Sequence, residues 1–188
     1  MTASAQLPQH PLTFGEYLAF EKQSDWKHEL VGGELHAFAG SSEEHNRLSL
    51  RFVTALDAAA EFAGCRIFAA DMKLRVDDET GYYPDVLVIC DPNDNDRYYK
   101  TAPCMVVEVL SPSTAATDHR EKLLAYRRFP SLRDYVIVAQ DRREIEHHQR
   151  DVDGAWRKLS VSGSGSLALR CLDVELTLDQ IYAGIVAP

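Results

Sequence analysis

Cys104-Met105-Val106-Val107-Glu108-Val109-Leu110 is among the most apolar runs in the chain, yet it holds a carboxylate at its centre. Ser111-Pro112-Ser113-Thr114 follows at once. The pattern predicts a buried strand from Pro103 to Leu110, stopped by turn-forming residues. An ionised carboxylate taken out of water costs several kcal/mol unless it is paired, hydrogen-bonded or bound to a metal. Glu108 therefore either meets an arginine or backbone N–H groups, or serves a metal site. The strand offers no local partner, which favours the metal.

Outward from this strand the chain alternates helix-like and strand-like segments. Upstream, Tyr83 to Cys90 and Arg66 to Val76 read as two more strands, separated by the acidic turn Asp77-Asp78-Glu79-Thr80-Gly81. Asp91 to Asp96 reads as a solvated acidic loop; it lacks the glycine and terminal glutamate of a calcium loop. Ser41-Ser42 cap a helix that runs to about Phe62 and is ended by Gly64. Its apolar face carries His45, Leu48, Ser49, Phe52 and Leu56. Further upstream, Thr13 and Glu16 form a capping box, and Lys27 to Phe38 reads as a hairpin about Gly32-Gly33. Downstream come a helix from Thr117 to Phe129, a strand from Asp134 to Ala139 and its hairpin partner from Glu144 to Gln149. Short strands at Trp156–Val161 and Ser166–Cys171 and a terminal helix turn from Leu178 to Ile185 complete the chain. The central order, helix-strand-strand-strand-helix-strand, implies an α/β or α+β core with helices flanking a mixed central sheet. Residues 1–12 read as a tail and 13–188 as one domain.

Composition narrows the class. The 188 residues are 45% hydrophobic and 26% charged, an ordinary globular balance. No apolar run approaches membrane-spanning length, and Met1 to Pro11 lacks the features of a secretory signal. Cys65, Cys90, Cys104 and Cys171 are widely spaced without a C-x-x-C pair. They read as reduced core thiols of a cytoplasmic protein, and neither as a zinc site nor as a disulfide framework. The net charge of −9 argues against a general nucleic-acid coat protein but suits divalent cations. Between Asp118 and Lys158, however, basic residues slightly outnumber acidic ones.

A second carboxylate, Asp85, follows Pro84 at the start of the strand before Glu108. Adjacent strands could bring the two together, and close carboxylates repel unless a proton or cation lies between them. Oxygen donors from Asp and Glu suit Mg²⁺ or Mn²⁺. On the following helix, Lys122 stands about 40° from Tyr126 and shares the inward face with Leu123 and Phe129. An inward lysine near two carboxylates could orient water or stabilise charge on a phosphate.

Pro84-Asp85 followed by Glu108 in an apolar strand resembles the PD-(D/E)XK nuclease core. Val107-Glu108-Val109-Leu110-Ser111-Pro112-Ser113-Thr114, with Asp118, Lys122 and Tyr126, is similar to the Uma-type restriction-endonuclease-like family of bacteria. Glu29-Leu30-Val31-Gly32-Gly33-Glu34-Leu35 and His45 also match, so the resemblance covers about residues 10 to 185. One departure from the broader superfamily is plain: its lysine stands two residues after the acidic residue, where this chain has Leu110. The Uma-type pattern places the lysine on the helix, at Lys122. The resemblance implies a restriction-endonuclease-like fold and Mg²⁺-dependent hydrolysis of DNA phosphodiester bonds.

The expected site is therefore Asp85, Glu108 and Lys122, with Asp85 and Glu108 holding Mg²⁺ or Mn²⁺. Each residue has a plainer alternative. Lys122 could snorkel to solvent or pair with Asp118 at i, i+4. His45 fits a satisfied core histidine or the mouth of the site. Glu34 could approach the metal or stay on a surface hairpin. Asp118 could orient Lys122 or cap its helix, and Tyr126 could be core. His28 with His36, and His147-His148, lack ligand spacing and are set aside as metal sites. DNA is the expected substrate, and cleavage of both strands would favour a homodimer. The alternative is a non-catalytic binding or regulatory module that retains the fold, a reading the acidic net charge favours.

Overall fold

A computed structural model describes residues 10–37, 40–110 and 118–186. The chain opens with α1 (Phe14–Glu21), β1 (His28–Val31), β2 (Glu34–Ala37) and α2 (Glu43–Phe62). Six strands follow: β3 (Arg66–Ala69), β4 (Lys73–Arg75), β5 (Gly81–Tyr82), β6 (Val86–Ile89), β7 (Tyr99–Lys100) and β8 (Pro103–Leu110). After α3 (Asp118–Tyr126) come β9 (Asp134–Ala139), β10 (Glu144–Arg150), β11 (Trp156–Ser162), β12 (Ser166–Leu169), β13 (Val174–Thr177) and α4 (Leu178–Tyr182).

The main sheet has six strands in the order β11-β10-β9-β8-β6-β3. Only β8 and β9 run parallel, joined by the crossover that carries α3; the other pairs are antiparallel. It is a mixed sheet, as the element order implied. A second sheet, β2-β1-β5-β4-β7, stands beside it. Alternation along β8 sends its residues to opposite faces. Met105, Val107 and Val109 pack with Leu48, Phe52 and Leu56 of α2. Val106 packs with Tyr126 and Phe129 from α3 and the turn after it. Glu108 shares the parity of Val106, so the sheet's own period aims its carboxylate at the α3 side.

Local signals match the helix ends. Thr13 accepts from the Glu16 N–H while the Glu16 carboxylate accepts from the Thr13 N–H, and Ser42 accepts from the His45 N–H. Gly64 stops α2 at φ +68°, a left-handed conformation glycine adopts without steric cost.

Several expectations need correction. The segment from Arg66 to Val76 is not one strand. It breaks at Ala70, where φ is +39°, and passes from the main sheet to the second one. The apolar alternation continues through the break and conceals it. Within Tyr83 to Cys90 only Val86–Ile89 is strand, so Asp85 occupies the irregular step between β5 and β6. The Asp91–Asp96 loop is more structured than a solvated turn: buried Asp94 accepts from the Thr101 and Ala102 N–H groups, and Arg66 donates to the Asp91 and Asp94 carbonyls. Strand β13, which pairs with β12, was not anticipated.

The cysteines overturn the reading of four reduced, separate thiols. Cys65 is bonded to Cys90 and Cys104 to Cys171. These pairs are 25 and 67 residues apart, so local spacing carried no information about them. Register explains the first: β3 and β6 pair Arg66 with Ile89, which sets Cys65 beside Cys90 at the end of the ladder.

Candidate active site

Six polar side chains from five segments of the chain gather where the two sheets meet. Glu29 comes from β1, His45 from the first turn of α2, Asp85 from the step before β6, and Glu108 from β8. Lys122 and Tyr126 come from successive turns of α3.

Glu108 is only 8% exposed, and it is not left unpartnered. The Tyr126 hydroxyl donates to its Oε1 at 2.6 Å, and Lys122 Nζ lies 3.6 Å from the same oxygen. Burial pushes its carboxyl up to about 8. Lys122 opposes that rise, whereas the charges of Asp85 and Glu29 add to it. Excess negative charge in a dry site is the condition that invites a proton or a cation.

Lys122 reaches the carboxylates, as the helical period predicts. Its Nζ donates to Glu29 Oε1 at 2.9 Å and lies 5.3 Å from the Tyr82 ring centroid. The pair is largely shielded from solvent. Tyr126 is buried between Tyr82 and Tyr135, edge-on to both, and this packing aims its hydroxyl. Burial, then the charge of Glu108, raises its phenol well above the ordinary range, so it stays a donor.

Asp85 joins the cluster from the neighbouring strand. Val86 stands opposite Val107, which carries Asp85 alongside Glu108. Its Oδ2 accepts the Val109 N–H at 2.7 Å and lies 3.2 Å from His45 Nε2. His45 is half-buried, and this contact sets it at the edge of the cluster.

Two accessory expectations fare differently. Glu34 is exposed on the edge strand β2, and among the described residues its carboxylate joins none of the bonds of the cluster. Glu29, opposite His36 on the paired strand, takes the place considered for Glu34. Sequence reasoning had Glu29 in the matched string but did not single it out. Its signal was a charge flanked by His28 and Leu30, both buried, which a four-residue strand leaves ambiguous. Asp118 opens α3, but its side chain lies outside the described residues, as does the Ser111–Thr114 string. The discounted histidines have structural partners. His147 Nε2 lies 2.8 Å from buried Asp134, and His28 Nδ1 lies 2.9 Å from Glu21.

The residue types suit a hard divalent cation: oxygen donors from buried Glu108 and half-buried Glu29 and Asp85, supplied by separate segments of the chain. The profile of the Uma2 family, described as "Putative restriction endonuclease", matches residues 14–180. The chain belongs to the Uma2 family. Two Synechocystis proteins are similar along most of their length. The uncharacterized protein slr1290 is 35% identical over 184 residues, 97% of each chain. The uncharacterized protein sll1609 is 35% identical over 159 residues, covering 82% of this chain and 90% of that one. A crystal structure described as a putative nuclease belonging to DUF820, from Anabaena variabilis, superposes with a TM-score of 0.74 at 14% identity. The match covers 92% of this chain and 98% of that one, and it shows the shared fold. The Uma2 chain is thus nuclease-like in family, and it shares its fold with the Anabaena protein. No helix among its described residues is long and apolar enough to cross a membrane.

Proposed function

We propose that this Uma2 chain is a divalent-metal-dependent endonuclease that hydrolyses DNA phosphodiester bonds. The observation that carries the reading is Glu108. It is a buried carboxylate whose proton affinity is raised by its surroundings, and a lysine and two more carboxylates stand around it. Asp85 and Glu108 would hold Mg²⁺ or Mn²⁺, with Glu29 available beside them. Bound there, the ion would lower the pKa of a coordinated water and polarise the scissile phosphate.

The chain's own residues have separable tasks. Tyr126 fixes the Glu108 carboxylate by donating to Oε1, and His45 and the Val109 N–H fix Asp85. Lys122 is poised between Glu29 and Glu108. Its ammonium can turn from Glu29 toward a phosphate oxygen and stabilise the charge that grows during attack. A cavity of about 390 Å³ lies next to the site, and Tyr83, whose N–H donates to Glu29 at 3.3 Å, lines it. Lys22, Lys27 and Lys73 line it too, but Glu21, Asp25 and Asp71 offset their charge and Asp71 pairs with Lys27; exposed Trp26 and Tyr98 at its rim offer rings on which bases could stack.

A second reading keeps the fold without cleavage, as a DNA- or protein-binding regulatory module. The net charge of −9 and the closed Lys122–Glu29 pair favour it. Nicking of supercoiled plasmid in Mg²⁺ and in Mn²⁺ separates the two. The nuclease reading expects activity in the wild type, loss of at least 100-fold in Glu108→Ala and Lys122→Met (on the order of removing one charge-stabilising group), and none with chelator. A wild type inert on every DNA form would support the binding module. A Glu108→Ala variant that cuts like wild type would mean contamination.

A further inference from the structure

We propose that the four cysteines, when their bridges are reduced, form a thiolate site for a soft tetrahedral cation such as Zn²⁺. They come from four places in the fold: Cys65 after α2, Cys90 after β6, Cys104 in β8 and Cys171 after β12. The two bridges abut. Cys90 Sγ lies 3.9 Å from Cys171 Sγ, and the sulfurs of Cys90, Cys104 and Cys171 all fall within 4.8 Å of one another. Cys65, bonded to Cys90, stands outside that group and joins as the fourth ligand only when the bond opens and its side chain turns inward. Zn–S bonds of about 2.3 Å in a tetrahedron set the sulfurs about 3.8 Å apart. The distance between the two bridges already matches that edge, and side-chain rotation after reduction can open the bonded pairs.

The backbone around the cluster is held in place. The Cys171 N–H donates to Asp134 Oδ2 at 2.7 Å. Asp134 is fully buried and also bonded by His147 and Gln149. Such support keeps a ligand oriented whether or not a metal is bound. The site is distinct from the carboxylate cluster. Cys90 and Cys104 lie at one end of β6 and β8, whereas Asp85 and Glu108 lie toward the other. A tetrathiolate there would tie α2, the main sheet and the β12–β13 hairpin together.

The chemistry balances. Four equivalents of a small thiol reduce the two bridges, giving four cysteine thiols and two molecules of the reductant's disulfide. Zn²⁺ then displaces four protons from the thiols. Where thiols are kept reduced, this is the expected form; two equivalents of a small-molecule disulfide return the paired form, are themselves reduced to four thiols, and release the ion.

Co²⁺ is the probe. Wild-type protein, reduced and freed of metal, is titrated with Co²⁺ while circular dichroism follows its fold. The expected result is a thiolate-to-cobalt charge-transfer band that saturates at one ion per chain and is displaced by Zn²⁺. Glu108→Ala should keep the band, and Cys104→Ser/Cys171→Ser should lose it. The proposal is overturned if folded protein with four titratable thiols gives no such band. It is equally overturned if the double cysteine variant retains the band, or if the bridges open only when the chain unfolds.

Discussion

Glu108 is a carboxylate whose ionisation costs the native state free energy, and that cost can be measured. Burial, reinforced by Asp85 and Glu29, raises its pKa to about 8 against the pull of Lys122 and Tyr126. Between the ordinary carboxylate range and about 8, the unfolded chain releases a proton that the native protein retains. Stability therefore falls as pH rises through that window and stays lowered above it. In chelator, Glu108→Gln should melt several degrees above wild type near pH 8.5, at roughly 2–4 °C per kcal/mol for a chain of this size. The difference should largely vanish near pH 4 and below, where the wild-type Glu108 carboxyl is mostly neutral in the native and the unfolded chain alike. Equal melting temperatures at both pH values would mean that Glu108 ionises freely. Tyr126→Phe tests the same carboxylate from its donor side. Losing that hydrogen bond should raise the Glu108 pKa further; if nicking needs Glu108 ionised it rises with pH, and in this variant that rise should move to higher pH. An unshifted profile would leave Tyr126 a packing residue.

At the scale of elements, the β1–β2 hairpin decides which glutamate serves the site. Glu29 lies against Lys122, and Glu34 lies exposed on β2. Glu29→Ala should lower nicking at least 10-fold, about the effect of removing a charge-assisted contact (~1.4 kcal/mol), while Glu34→Ala should leave it unchanged. The opposite ranking would mean that the hairpin presents its other strand to substrate. The contrast shows what could be read from the chain. Glu108 and Lys122 were legible because each breaks a strong pattern, a charge in an apolar strand and a cation on an inward helix face. Glu29 breaks no pattern, since a strand of four residues has too short a period to say which side faces the site. The step at Ala70 was hidden for a related reason: apolar residues continue across it while the chain changes sheets. Helix ends were legible because capping is local. Cysteine pairing was not, because it depends on registers set by distant strands.

Across the whole molecule, two sheets and two helices hold the site from different sides, so core stability and site geometry are linked. Leu56 on α2 is fully buried against the main sheet. Leu56→Ala should cost about 2–5 kcal/mol in denaturant unfolding. A loss under about 1 kcal/mol would mean that α2 packs more loosely than its contacts imply. The Uma2 fold places these parts; what remains decisive is whether a metal enters between them. A crystal of the wild-type protein soaked with Mn²⁺ addresses that most directly, through anomalous scattering. A manganese peak is expected within coordination distance of both Asp85 and Glu108, about 2.1–2.2 Å, comparable to hard-cation oxygen distances. No peak there, or manganese bound only elsewhere, would rule out a metal held by these two carboxylates.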